Sequence, residues 1–302
     1  MPFKIKDLGK LFKITYKEWN LKDPFRQSAV IAYYAIFSMP GLLVLIITVT
    51  GYFFGRDAVN QHIISQISST MGADTAAQIK DMLATAFEAK ATIIGSIIGA
   101  LVLLLGATGV FVELQKTLNM IWDVKVVDKK GILPILKARL FSFGLILAIA
   151  FLLLISLVVS AALAAMSDLI KIDTSTFMAV IFIVLNFIIS LIIISILFAL
   201  MFKILPDAKI KWKHVWLGSL VTGLLFTIGK TALAFYFGKA NPASGYGAAG
   251  SIVLLLLWVS YSSMIMFFGA EFTAAYAKMY SGTVAPTEIA KAEVPTSSDK
   301  KL

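Results

Sequence analysis

Polar residues set inside long apolar runs are where this sequence could do chemistry. Lys230 stands in VTGLLFTIGKTALAFYF, Asn186 in VIFIVLNFIISLIII, Glu271 in IMFFGAEFTAAYA and Glu113 in LLGATGVFVELQK. An ionised group in hydrocarbon is costly unless water or a partner reaches it, so such residues mark headgroup, ion or substrate contacts, or bonds between helices. A buried lysine suits an anionic headgroup; a carboxylate suits a cation or a coupled proton. A second set lies in AYYAIFSMPGLL, which carries Tyr33, Tyr34, Ser38 and Pro40. There the proline removes a backbone hydrogen bond and bends the helix, freeing a carbonyl toward a cavity or neighbour.

Other chemistries lack their residues. With 0 Cys there is no thiolate catalyst, disulfide framework or cysteine zinc site, and the only two histidines are His62 and His214. HExxH, GxSxG and GxxxxGK[ST] are all missing. Asp123, Asp128 and Asp207 come nearest to the ligands of a metal-dependent nuclease, but their setting reads as solvated loops. The expectation is a protein that is not an enzyme, with no cofactor, no metal and no nucleic acid.

The positioning elements follow from composition. The chain has 302 residues, 59% hydrophobic and 15% charged, with mean hydropathy +0.88. A soluble domain carries about 25% charged residues; this chain can present its surface only to lipid. A bilayer core needs roughly 20 apolar residues per crossing helix. Six runs qualify: Ser28–Phe54, Thr92–Val112, Leu140–Ala165, Phe177–Phe202, His214–Phe237 and Ala248–Ala277. None alternates polar with apolar as a barrel strand would. The fold class expected is all-α, a polytopic membrane protein of six transmembrane helices with amphipathic interfacial helices.

Flanking charge sets the orientation. The arm 1–27, the connections 113–139 and 203–213, and the tail 278–302 carry 21 Lys and Arg, against 5 on the opposite connections. Both termini are therefore expected in the cytoplasm. On that topology Lys230 lies about 24 Å from the cytoplasmic end of its span, with Asn186 at similar depth. Glu271 lies about 35 Å along the last span, near the inner surface. A Lys230–Glu271 pair fails on depth, so Lys203, Lys116 or backbone donors are the expected partners of the carboxylates.

Outside the spans, residues 4–22 place Leu8, Leu11, Phe12, Tyr16 and Trp19 on one helical face, as in a helix lying on the membrane. The run begins too late and too long for a cleavable signal. The external loop 56–91 is expected to hold one short amphipathic helix on Ile79, Met82, Leu83, Ala86 and Phe87, capped by Asp74 or Thr75. Residues 281–302 read as a disordered cytoplasmic tail. Together with the arm 1–27 and the transmembrane domain 28–280, these complete the domain organisation. Gly95 with Gly99, and Ser219 with Gly223, permit close helix packing and leave oligomeric state open.

Three segments together carry a family resemblance: AVIAYYAIFSMPGLLVL, LPDAKIKWKHVWLGSLVTGLLFTIGKTALAFYFG and GYGAAGSIVLLLLWVSYSSMIMFFGAEFTAAYA. Over about residues 10–280 the chain resembles the YihY/BrkB family of bacterial inner-membrane proteins. The resemblance implies six transmembrane helices, an inner-membrane address and links to envelope integrity and virulence. Tyr34, Ser38, Pro40, Pro206, Gly250, Trp258, Gly269 and Glu271 are the matching motif positions, with no role attached. An old ribonuclease label of the family is not carried over, because the metal ligands are missing here.

These readings converge on a transporter or flippase-like protein for a lipid or lipid-linked anionic amphiphile. Lys230 and Asn186 would meet the headgroup in the outer half; Glu113, Glu271, Tyr33, Tyr34, Ser38 and Pro40 would line the inner half. Membrane lipids are the expected partners. The alternatives are a non-catalytic scaffold for envelope proteins and an ion-coupled exporter of a small solute.

Overall fold

A computed structural model describes residues 7–88, 109–126, 176–240, 242, 244–282, 285–287 and 290–292. Helix α1 covers Leu8–Leu21 and α2 Pro24–Phe54. Two shorter helices follow, α3 Arg56–Met71 and α4 Ala73–Glu88. The described residues of α5 are 109–121, leading into a short strand β1, Val124–Val126. Then come α6 Thr176–Ile204, α7 Trp212–Ala240, a 3-10 turn Ser244–Ala249, α8 Gly250–Ser281 and strand β2, Ala290–Ala292.

Four of the expected apolar runs are thus long helices, with ends within a few residues of those read from the sequence. The third run, Leu140–Ala165, the bulk of the second, the pair Gly95 and Gly99, and Asp128 lie outside the described residues. Three helices among the described residues are long and apolar enough to cross a membrane: α6 (from Phe187), α7 and α8. At 1.5 Å per residue the 29 residues of α7 reach about 43 Å and the 32 of α8 about 48 Å. Helix α2 starts with Pro24 in its first turn, where the missing N–H costs nothing, and continues unbroken through Pro40.

The exterior of the long helices is as apolar as the interior, and small hydroxyls are set among the buried side chains. On α7, Trp216, Leu220, Leu224 and Ile228 recur every four residues and are exposed, as are Val184, Leu185, Phe187, Ile188 and Ile192 on α6. The buried hydroxyls are Ser195, Ser219, Thr222, Thr227, Ser263 and Thr273. Lipid covers an apolar exterior without cost, while small hydroxyls in the interior can return their hydrogen bonds to the helix. Thr222, Thr227 and Thr273 each donate to the carbonyl four residues earlier, at 2.6, 2.8 and 2.8 Å.

Three expectations about the segments outside the spans need correction. The loop after α2 holds the expected amphipathic helix, as α4, and a second helix, α3, before it. Gly55 and Gly72, at φ 82° and 93°, make the reversals that any side chain would strain. Val59, Ile79 and Leu83 pack with Ile47 of α2, so this hairpin closes over the end of α2. The arm α1 does not merely lie on a membrane surface. Its Leu11 is fully buried against Phe272 and Ala275 of α8, with Phe12 and Ile14 beside it. The tail is also not wholly disordered. Lys209 N donates to Ala285 O and Thr287 N to Asp207 O, both at 2.9 Å, and β2 pairs antiparallel with β1, Val124 opposite Ala292.

Candidate functional site

The sequence offers no local reason for its most concentrated polar site, which lies where α1, α2, α5 and α8 meet. Lys22 occupies the turn between α1 and α2, and Asp23 beside it takes the left-handed conformation, φ 50°. That turn swings the Lys22 side chain inward. Its Nζ lies 2.7 Å from Glu271 Oε1 of α8, 3.8 Å from Asp123 Oδ1, and donates to Ile121 O at 3.2 Å. Glu271 is 3% exposed and Lys22 17%, so the pair is largely removed from water. The ammonium meets Oε1 at ion-pair distance, off the direction of a well-aligned hydrogen bond. Asp123 Oδ2 in turn takes a bond from Lys278 Nζ at 2.5 Å.

Beside this pair is a small cleft with room for about one water, which Gln27, Thr117 and Phe267 also line. Thr117 Oγ1 donates to Gln27 Oε1 at 3.3 Å, tying α5 to α2. The Trp19 ring walls the cleft, and its Nε1 is buried without an acceptor among the described residues. The partner expected for Glu271, Lys203 or Lys116, is corrected: Lys203 instead donates to Ile210 O at the α6–α7 turn. Glu113 does pair with Lys116, at 3.2 Å.

Glu271 is held in place by the packing of α8 on α7. Each helix carries a Gly-x-x-x-Thr pair, Gly218 with Thr222 and Gly269 with Thr273. Running antiparallel, each threonine fits the other helix's glycine. A Cβ on Gly218 would stand 1.7 Å from Thr273 Oγ1, and one on Gly269 1.8 Å from Thr222 Oγ1. These two notches let the backbones approach as no side chain would permit. They leave no room for a passage between α7 and α8 at this level.

Along the same helix, Ser219, Gly223 and Thr227 form a buried polar line, Gly223 lying against Ser195 of α6. Lys230 continues that line one turn further and stands about 200° round the helix from the exposed Ile228. Its side chain is half-buried and, among the described residues, has neither hydrogen bond nor ion pair. Asn186 lies as many residues before the end of α6 as Lys230 lies after the start of α7, so the two share a level about 27 Å from the turn.

The remaining sequence candidates are scattered. Tyr33 is exposed on α2, edge-on to Tyr34 and Phe37. Tyr34 packs against Gly109 of α5, where a Cβ would meet its ring at 2.5 Å. Ser38 and Pro40 fall within α2, but their side chains, like that of Asn186, lie outside the described residues. Trp258 packs edge-on against Phe226. Pro206 is buried in the α6–α7 turn and Gly250 starts α8.

Asp207 is a further correction, since the sequence reads it as a solvated loop charge. It is buried, and its Oδ2 accepts from Asn119 Nδ2 at 2.8 Å and Gln115 Nε2 at 3.1 Å, while Asn119 Oδ1 accepts from Asp207 N at 2.7 Å. The site therefore gathers the arm, α5, the α6–α7 turn and the end of α8 at one end of the bundle. These belong to the four basic segments. Among the described residues no three His, Asp or Glu side chains converge as a metal would require. His62, on α3, has its imidazole pushed below the usual value by burial. Sequence reasoning missed Lys22, Gln27, Thr117, Asn119 and the paired Gly-x-x-x-Thr; only the last leaves a local signal, the repeat GSLVT and GAEFT.

Known proteins match this chain along nearly its whole length. The family model for the virulence factor BrkB covers residues 15–293. A UPF0761 membrane protein of Saccharophagus degradans is 28% identical over 274 residues, 90% of this chain and 60% of that one. Another, of Verminephrobacter eiseniae, is 30% identical over 217 residues, 72% of this chain and 49% of its own. The chain thus spans about half to three fifths of the length of these two relatives. No solved structure matches it. The chain belongs to the virulence factor BrkB family of membrane proteins.

Proposed function

We propose that this protein moves a lipid or lipid-linked anionic amphiphile across the bacterial inner membrane, through six transmembrane helices with both termini in the cytoplasm. One observation carries the reading. Lys230 is a half-buried cation inside a membrane-length helix, continuous with a line of small polar residues and with no counter-charge among the described residues. A lysine so placed is stabilised by water or by an arriving anion. A phosphate headgroup supplies the anion, and its acyl chains remain in the bilayer.

Glu271 takes a different part from the one the sequence suggests. Lys22 already neutralises it, which favours a structural role over lining the path. Ion-coupled export through Glu271 loses ground for the same reason. The test is translocation of headgroup-labelled phospholipid in proteoliposomes holding purified protein. Wild type should move lipid faster than protein-free vesicles, Lys230→Ala should lose most of that excess, and Lys230→Arg should keep part of it. No movement across several anionic headgroups would shift the reading to a non-catalytic scaffold for envelope proteins. Movement unaffected by Lys230→Ala would take the lysine out of the path.

A further inference from the structure

The α6–α7 turn concentrates charge and aromatic surface in a way the transport reading does not use. Residues 203–213 contain Lys203, Lys209, Lys211 and Lys213 and one acid, Asp207. That acid faces inward, held by Gln115 and Asn119, and so leaves the lysines unbalanced. Lys209, Lys211 and Lys213 are exposed and have no ion pair among the described residues. Lys203 is fixed rather than loose: its Nζ donates to Ile210 O and lies 5.8 Å from the centre of the Trp212 ring.

Trp212 and Trp216 stand next to each other, centroids 6.2 Å apart, and both are about half exposed. Buried tryptophans belong to cores. Two exposed ones at the start of a membrane-length helix belong at the headgroup level, where an apolar ring with a polar edge is most stable. From Trp216 the exposed line continues through Leu220 and Leu224 to Ile228. That stretch is about 18 Å long, close to one leaflet of a bilayer core about 30 Å thick.

We infer that the α6–α7 turn and the outward face of α7 form a binding site for an anionic phospholipid of the surrounding bilayer. Lys203, Lys211 and Lys213 attract the headgroup phosphate, the two indoles border it, and an acyl chain follows Leu220, Leu224 and Ile228. Charge complementarity selects the occupant. A zwitterionic lipid would satisfy the apolar face equally but leave the lysines without an anion, and a soluble anion would ignore the apolar face. The site stands whether or not the protein transports lipid, since it lies on the outward face of α7 and Lys230 does not.

The experiment is native mass spectrometry of the purified full chain, titrated in mild detergent with dioleoylphosphatidylglycerol or dioleoylphosphatidylcholine. Wild type should retain the phosphatidylglycerol preferentially. Lys211→Gln with Lys213→Gln should reduce that preference by about thirtyfold, as the loss of two lysines beside an anionic headgroup implies. The Arg versions should keep it, and Lys10→Gln with Lys13→Gln on α1 should leave it intact. An unchanged preference in the turn variant overturns the proposal, and so does an equal loss in the α1 variant. Displacement of the lipid by millimolar inorganic phosphate would assign the lysines to a soluble anion and overturn the lipid occupant. Brominated lipids give an independent reading: phosphatidylglycerol should quench tryptophan fluorescence more than phosphatidylcholine, and Trp212→Phe with Trp216→Phe should abolish most of the difference. A difference that survives the double substitution overturns the proposal.

Discussion

Lys22 Nζ and Glu271 Oε1 lie 2.7 Å apart, joining the turn between α1 and α2 to the last long helix. The pair anchors an arm whose apolar face already covers Phe272 and Ala275. Tyr280 OH adds a bond to Asp7 Oδ2 at 2.9 Å, so the start of α1 is fastened to the end of α8. Removing one member of a largely buried ion pair leaves the other charge uncompensated. Lys22→Met should therefore destabilise the protein by about 3 kcal/mol. Lys22→Met with Glu271→Leu should recover most of the loss. Thermal unfolding of the four proteins of this cycle in one detergent measures it, and additive losses would mean that the pair is not coupled.

Gly218 and Gly269 should tolerate no side chain. Alanine at either would place a Cβ within 2 Å of a threonine hydroxyl, and the helices must separate to admit it. Overpacking of this kind costs about 1–3 kcal/mol. Thr222→Ala in Gly269→Ala, or Thr273→Ala in Gly218→Ala, should restore part of the stability by removing the hydroxyl that the new Cβ meets. Melting temperatures of the single and paired variants decide it; a neutral Gly269→Ala would show the notch to be slack.

Asp207 should matter as an acceptor, not as a charge. Asp207→Ala leaves the amides of buried Asn119 and Gln115 without their carboxylate, a loss of about 2 kcal/mol, and Asp207→Asn should cost less. Slow amide exchange at Thr287 and Lys209 is expected in the wild type, because both donate to backbone carbonyls, and faster exchange in Asp207→Ala. Exchange at free-chain rates in the wild type would contradict the ordered tail.

The topology is open to direct test because the chain has 0 Cys. Single cysteines at Lys17 and Lys211, both exposed at the basic end, should react with an impermeant maleimide only after the inner face is opened. Cysteines at Gln61 and Lys239, also exposed, should react in intact cells with a permeable outer envelope. The reverse pattern would invert the orientation that flanking charge implies.

The long helices were legible in the sequence because burial in lipid is a local demand. Each crossing segment must satisfy its own backbone and present apolar side chains over its own length. The runs at 177–202 and 214–237 therefore lie within helices that extend a few residues beyond them, and the run at 248–277 starts two residues before its helix and ends inside it. The four basic segments could likewise be grouped by charge alone, and the structure brings parts of all four to one end.

What only the tertiary structure decided is which polar groups meet. Lys22 is one of seven basic residues on the arm, and nothing nearby distinguishes it; the left-handed turn at Asp23 and the docking of Leu11 on α8 aim it at Glu271. Residues 285–287 and 290–292 read as disordered because they lie in a polar stretch that contains proline, yet their backbone groups find acceptors and donors in the α6–α7 turn and in β1. Hydrophobicity is written residue by residue, whereas hydrogen-bond and charge partners belong to segments far apart in the chain, and only packing brings them together.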